Sequence, residues 1–428
     1  MGDLIRGPFR DARLSATLAI NERSAELARQ GRDVFRLGFG QSPFPVPDGV
    51  VAALQQNAAE KDYLPVQGLG SLRQVVAEHH AREDGSAPSS EDVVIGPGSK
   101  ELLFLLQLVL DADLLLPTPC WVSYAPQGWM LERRPKLLAT GFAEGWKLDP
   151  AKLAEAARAS TKPLLLVLNY PNNPTGQTYR PPELEALASV ARDLGVLVFS
   201  DEIYGRLEYS GEHRSMSAVY PEATIVGSGL SKWCGAGGWR LGTFVFPRQL
   251  GDVRRAVMIA ASETFTSVSA PVQYAAVEAF KGGKAIDDYL RHSRRVLAAV
   301  AGRTVQELTG AGIDVLQPQG GFYAFAGFDR FRPQLQSRGV RDCLEMTEAI
   351  LEETGVALLP GGPFGREPSE LWVRVAFVDF DGAGALAASR ASGLDQALSP
   401  DFVDLYCPAT AEGLRRLATW AREVQGSG

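Results

Sequence analysis

Apolar runs of strand length alternate with amphipathic stretches along the first two thirds of this chain. "PLLLVLNYP" (163–171) and "GVLVFSDEIY" (195–204) are continuous apolar runs. Between them, "ELEALASVARDL" spaces its leucines and alanines at helical intervals. "DVVIGPGSKELLFLLQLVL" reads as a short strand, a glycine turn and a helix, and "TIVGSGL" and "GTFVFP" read as further strands. Strands that are apolar throughout, alternating with helices, predict a mostly parallel sheet buried on both faces. Upstream, Leu18, Ile20, Ala25 and Leu27 fall roughly at helical spacing, which predicts a first amphipathic helix over 16–30. Two more helices are predicted at 48–60 and 71–83, and the Gly- and Pro-punctuated "GFGQSPFPVP" is loop.

The pattern changes after about residue 285. "AIDDYLRHSRRVLAAVAGRTVQEL" predicts one long helix, "GGFYAFAGF" and "LWVRVAFV" predict strands, and "AEGLRRLATWAREV" predicts a final amphipathic helix. Residues 381–410, rich in Ala, Ser and Gly, carry no assignable period. The organisation expected is an N-terminal segment (1–45) packing with the small domain, a large domain (46–285), and a smaller α+β domain (286–428).

Composition narrows the classes of function. With 428 residues, 45% of them hydrophobic and 22% charged, the chain has the make-up of a soluble globular protein. A net charge of −7 argues against nucleic acid as a partner. The longest apolar run, around "LLFLLQLVL" (102–110), is far short of a membrane span, so no membrane partner is expected. Charges interrupt the first twenty residues, so no secretory leader is read there. The four cysteines form no C-x-x-C pair, and no His/Cys cluster has metal-ligand spacing, so no metal is expected. A cytoplasmic chain with reduced thiols is the expectation.

The candidate chemistry lies in "GSGLSKWCGAGGWRLG" (227–242), where Lys232 sits among small and apolar residues and Arg240 follows eight positions later. A desolvated lysine has its ammonium form disfavoured and becomes a nucleophile toward a carbonyl; the alternative is a surface lysine in a turn. Arg240 closes "GAGGW", where glycines admit a ligand and a guanidinium fork suits a phosphate. "VVIGPGSKE" offers backbone N–H groups at a helix start, with Ser99 and Lys100, or is an ordinary strand-to-helix turn. Asp201 ends an apolar strand, where α/β sheets bind ligands, or it caps a helix. Facing a ring nitrogen at about 4 Å, a carboxylate is worth roughly 4 kcal/mol at an effective dielectric of 20. That is about three pKa units, enough to keep a pyridine nitrogen protonated. "NYPNNPTG" (169–176) is a turn in either case, and it presents the amide of Asn173.

"NNPTG", "SDEIY", "SKWCGAGGWRLG" and "WVRVAF" follow one another in the order and at distances similar to those of the class I/II, fold-type I, pyridoxal-phosphate-dependent aminotransferases. The resemblance runs from the first helix to about residue 380. It implies a large domain with a mostly parallel seven-stranded sheet between helices, a smaller α+β domain, and pyridoxal 5'-phosphate as cofactor. In that resemblance Lys232 would hold the cofactor as a Schiff base and then shuttle a proton. Asp201 would pair with the ring nitrogen, and Tyr204 and Asn173 would bond the ring oxygen. Trp121 would stack on the ring, its alternative being a core tryptophan. Gly98, Ser99, Lys100, Ser231 and Arg240 would surround the phosphate. Arg374 would clamp the substrate carboxylate beside Gly40, its alternative being a surface arginine on an edge strand. Tyr63 would reach the phosphate of a neighbouring subunit, which requires a homodimer. One position departs from many relatives: Gly229 stands where they carry a phosphate-binding serine three residues before the lysine.

The activity so implied moves an amino group between an L-amino acid and a 2-oxo acid with ping-pong kinetics. The same motifs also serve elimination, cyclisation, C–C bond formation and oxidation on this fold. A non-enzymatic regulator would need an added DNA-binding domain, and only about forty residues precede the glycine loop. "ASETFTSVSAP" (261–271) lacks the arginine with which relatives meet a side-chain carboxylate, which disfavours aspartate as the preferred donor. Phe39, Gln41, Ser42 and Tyr124 are candidates for lining the side-chain pocket.

Overall fold

A computed structural model describes residues 4–10, 16–84 and 87–426. Seven strands form the large sheet: β1 (Val93–Gly96), β2 (Asp113–Thr118), β3 (Lys136–Ala139), β4 (Leu164–Asn169), β5 (Leu197–Asp201), β6 (Thr224–Gly229) and β7 (Gly242–Val245). Their order is β1-β7-β6-β5-β4-β2-β3, and only β7 runs antiparallel to its neighbours.

The continuous apolar runs have a direct cause. Leu164, Leu166 and Leu168 of β4 pack into one core, beneath the helix Pro181–Asp193, whereas Leu165 and Val167 pack into the core on the opposite face. A strand covered by helices on both sides cannot spare either set of alternate positions for polar residues.

A second sheet of four antiparallel strands has the order β10-β11-β9-β8. Its members are β8 (Asp314–Val315), β9 (Tyr323–Gly327), β10 (Leu359–Pro360) and β11 (Trp372–Ala376). β9 and β11 are the two strands predicted from "GGFYAFAGF" and "LWVRVAFV". The long helix expected after residue 285 spans Lys284–Gly310, and the C-terminal one spans Pro408–Gly426. The first predicted helix is Ala16–Arg29. The helix predicted over 48–60 ends at Gln56, because Asn57 closes it by turning its backbone N–H and side-chain amide onto Ala53 O. Residues 381–410, which carry no legible period, hold two further helices, Gly382–Ser392 and Phe402–Tyr406. Asp381 caps the first by accepting from the Ala383 N–H. Its faces are blurred because Ala and Gly pack against the core where larger apolar residues would mark a period.

The N-terminal segment leans on the second sheet's elements. Phe35 bridges to Val356, and Arg23 and Arg32 both pair with Glu352.

Candidate active site at the carboxyl edge of the large sheet

The parallel strands end along one edge, and the candidate residues collect there. Asn169 and Asp201 terminate β4 and β5 and stand in register with each other. Asp201 therefore ends a strand, and the turn after it carries Tyr204 before the short helical turn Gly205–Leu207. Asp201 is 5% exposed. It accepts a hydrogen bond from the Tyr124 hydroxyl at 2.6 Å and one from the Ile203 N–H at 3.3 Å. Burial raises its carboxyl from 3.8 to about 6, opposed by the Tyr124 hydrogen bond. Tyr124, proposed from the sequence for the side-chain pocket, is instead buried against Asp201; its own hydroxyl is pushed well up by burial and by the Asp201 charge.

Next to Asp201 lies a surface without side chains. Gly96 of β1, Gly242 of β7 and Gly229 of β6 are in register, so three glycines cross three strands in one row. A Cβ on Gly242 would stand 2.2 Å from the Ser99 backbone nitrogen, and one on Gly229 would stand 2.6 Å from Leu241 O. The row lets the N-terminus of the helix Ser99–Val109 settle onto the sheet edge, and the first N–H groups of a helix have no partner within it. It also explains the departure at Gly229: a serine there would collide with the β7 backbone. Gly98 yields in the same way to Arg240, whose Nη2 would lie 2.2 Å from an added Cβ. Arg240 itself sits in the left-handed region at φ 55 and donates to Gly237 O at 3.0 Å and to the Ser231 hydroxyl at 3.5 Å. Lys100 Nζ lies 4.9 Å from the Trp121 ring centroid. Desolvation, then the charges of Arg240 and Lys232, lower the Lys100 pKa.

Lys232 follows β6 by three positions. Its Nζ donates to Gly40 O at 2.9 Å and lies 5.7 Å from the ring centroids of both Tyr204 and Phe322. Gly40 also accepts from the Tyr323 hydroxyl at 3.4 Å, and a Cβ there would fall 1.9 Å from that hydroxyl. The Tyr323 hydroxyl meets the Tyr204 hydroxyl at 3.0 Å, and its ring lies 4.6 Å from the Arg374 guanidinium carbon. Tyr323 thus joins Tyr204, Gly40 and Arg374. Sequence reasoning missed it, although the glycine pair before it in "GGFYAFAGF" marked a close approach.

Arg374 is no surface residue. It is 3% exposed on β11. One nitrogen donates to Asn173 Oδ1 at 3.1 Å and another to Gly38 O at 2.7 Å, while Nε is buried and unbonded. Burial lowers its pKa, and the groups that oppose this are two tyrosines, with no carboxylate among them. A buried guanidinium short of an anion is a standing cost unless a ligand supplies one.

Two predicted residues are not drawn in. Tyr63 is 89% exposed, and Gln41 is exposed. Phe39 is 38% exposed, while the Ser42 hydroxyl is buried without a hydrogen-bond partner.

These features fit a flat, anionic cofactor. A glycine shelf under a helix N-terminus, flanked by Lys100 and Arg240, suits a phosphate; Asp201 suits a cationic ring nitrogen; Arg374 suits a carboxylate. The fold and the site together define a pyridoxal-phosphate-dependent transferase of fold type I. The chain belongs to the class I and II aminotransferases, whose family profile matches residues 32–382. It is 34% identical over 361 residues to the aspartate aminotransferase of Geobacillus stearothermophilus, covering 82% of this chain and 89% of the relative. It is likewise 34% identical to the asparagine–oxo-acid transaminase of Streptococcus mutans, with the same shares covered. The solved aspartate aminotransferase of Thermus thermophilus with maleate superposes with a TM-score of 0.82 at 29% identity, over 97% of this chain and 100% of that one. The activity is therefore transfer of an amino group between an amino acid and a 2-oxo acid, with pyridoxal 5'-phosphate as cofactor.

Proposed function

We propose that Lys232 is the covalent anchor of the cofactor and the base of this aminotransferase, and that Arg374 holds the substrate. The observation that carries this reading is Arg374: a buried guanidinium without a carboxylate, joined to the Lys232 environment through Tyr323 and the segment Gly38–Gly40. An L-amino acid brings the missing carboxylate, and a bidentate grip on it fixes the Cα substituents in space. Bound pyridoxal phosphate supplies an electron sink for the charge left at Cα. Lys232, within reach of the same segment, takes and returns the Cα proton. Its neighbours Phe322 and Tyr204 limit water around Nζ. Asp201 would keep the ring nitrogen protonated, with the Tyr124 hydroxyl fixing the carboxylate's orientation. Tyr204 and Asn173 would bond the ring oxygen, Trp121 would cover the ring, and Gly98, Ser99, Lys100, Ser231 and Arg240 would hold the phosphate.

The same reading takes 46–285 as the cofactor domain and 286–428, with 1–45 packed on it, as the small domain. The exposure of Tyr63 supports a homodimer in which it reaches the partner's phosphate site. No helix among the described residues is long and apolar enough to cross a membrane. The four cysteines are free thiols, which supports a reducing, cytoplasmic setting. The names of the relatives make aspartate and asparagine the first donors to try, although 261–271 offers no arginine for a side-chain carboxylate.

The test is a screen of L-amino acids against the purified holoenzyme, following the absorption of the bound cofactor. At least one donor converts it to the amine form, and a 2-oxo acid reverses the change. The Lys232→Ala protein shows no conversion on the same time scale. Conversion by the variant at the wild-type rate would remove Lys232 from the chemistry.

A further inference from the structure

Beyond the active site, a cavity of about 210 Å³ lies between the turn after β5, the helix Gly70–Asp84 and the long helix Lys284–Gly310. Of the three arginines that line it, Arg291 pairs with Asp288, which leaves Arg206 and Arg294. Neither makes a hydrogen bond or an ion pair among the described residues, and Arg206 Nη1 is buried without a partner. Arg206 is held by stacking, its guanidinium carbon 4.3 Å from the ring centroid of Trp233. That contact orients the fork and supplies no hydrogen-bond acceptor for its N–H groups. Arg294 passes where Gly211 has no side chain; a Cβ there would stand 2.8 Å from its Nη1.

The acids that share the cavity contact neither arginine; Glu83 and Asp287 favour both charges only from a distance. Glu202 is engaged by His213 at 2.9 Å and by the hydroxyls of Ser200 and Ser215 at 2.7 and 2.6 Å. Glu83 is about half exposed and 3.8 Å from His79, and Asp287 is exposed. Two desolvated guanidiniums facing one space repel each other and each lacks an acceptor. Guanidinium forks match carboxylate and phosphate oxygens in geometry as well as charge. The volume admits a small ligand of that kind and is below that of a drug-sized pocket.

We propose that this cavity binds a small oxyanion, carboxylate or phosphate, between Arg206 and Arg294. Such a ligand bridges the Gly205–Leu207 turn to the long helix. The turn begins two residues before Arg206 at Tyr204, and Trp233 adjoins Lys232, so the bridge braces the back of the catalytic shell.

The experiment is calorimetric titration of the holoenzyme, whose cofactor phosphate already fills its own cradle, with inorganic phosphate and separately with citrate. The expected result is saturable binding of at least one of the two, with a dissociation constant of about 1 mM or tighter. Arg206→Met and Arg294→Gln each weaken it by about tenfold or more while amino transfer persists. Binding of phosphate alone assigns a phosphoryl ligand, and binding of citrate alone assigns a carboxylate ligand. Absence of saturable heat with both anions overturns the proposal, as does an unchanged affinity in the variants. Where Arg206→Met does not fold, Arg294→Gln, on the partly exposed face of its helix, decides by itself.

Discussion

Replacing Asp201 with Asn separates what this residue does for catalysis from what it does to stability. In the cofactor-free protein the carboxyl is buried and has no cationic partner in contact, and its pKa stands at about 6 against 3.8 for the free group. That difference makes ionising Asp201 about 3 kcal/mol less favourable in the folded chain than in the unfolded one. The sign follows from proton counts. At about pH 8 both states are ionised, and the folded state bears the full penalty. Well below the unfolded value both are protonated and the penalty is absent, so stability falls as pH rises through the interval between them. Asn carries no charge, fills nearly the same volume and still accepts from the Tyr124 hydroxyl. Cofactor-free Asp201→Asn should therefore be more stable than wild type by about 3 kcal/mol near pH 8, and by about half that near pH 5. Denaturant unfolding of the two cofactor-free proteins across this range measures the difference. With cofactor added, the proposed role of Asp201 predicts that the same variant also loses an ion pair to the ring nitrogen. At roughly 4 kcal/mol this is about a thousandfold in rate. A variant that is less stable at high pH, or whose stability difference does not change with pH, would refute the account of a buried, unpaired carboxyl awaiting its partner.

Two further outcomes test the shelf and the interface. Gly242→Ala places a Cβ 2.2 Å from the Ser99 nitrogen, and the backbone shift this forces should cost about 1–3 kcal/mol and weaken cofactor binding. Gly238→Ala, which meets nothing within 4 Å, is the matched control in the same denaturation and cofactor titrations. Tyr63→Phe should weaken cofactor binding by about tenfold, the scale of one hydrogen bond to a charged group. The defect should be corrected in mixed dimers at the site whose partner supplies an intact Tyr63. Equal affinity in mutant and wild-type dimers would take Tyr63 away from the phosphate.

Much of this architecture is carried by neighbours close in the chain. The doubly buried strands β4 and β5 show as apolar runs because burial on both faces removes polar positions until the strand ends, where Asn169, Ser200 and Asp201 stand. Lys232 was conspicuous for a similar reason: glycines and small residues on both sides mark a backbone meant to approach something closely. What sequence could not supply was contact between distant segments. The row Gly96–Gly242–Gly229 exists only through strand register, which joins three separate stretches. The use of Tyr124 beneath Asp201 and of Tyr323 between Tyr204 and Arg374 depends on which side chains packing brings together across 77, 119 and 51 positions. Nothing in a local period records such pairings. The same holds for Arg374: within "WVRVAF" it looks like one charge on a strand, and the second sheet, folding over the segment Gly38–Gly40, turns it into a buried cation without a counter-charge. Periodicity is enforced residue by residue along the chain, so sequence displays it; desolvation and partner choice arise when remote segments meet, so only the folded molecule decides them.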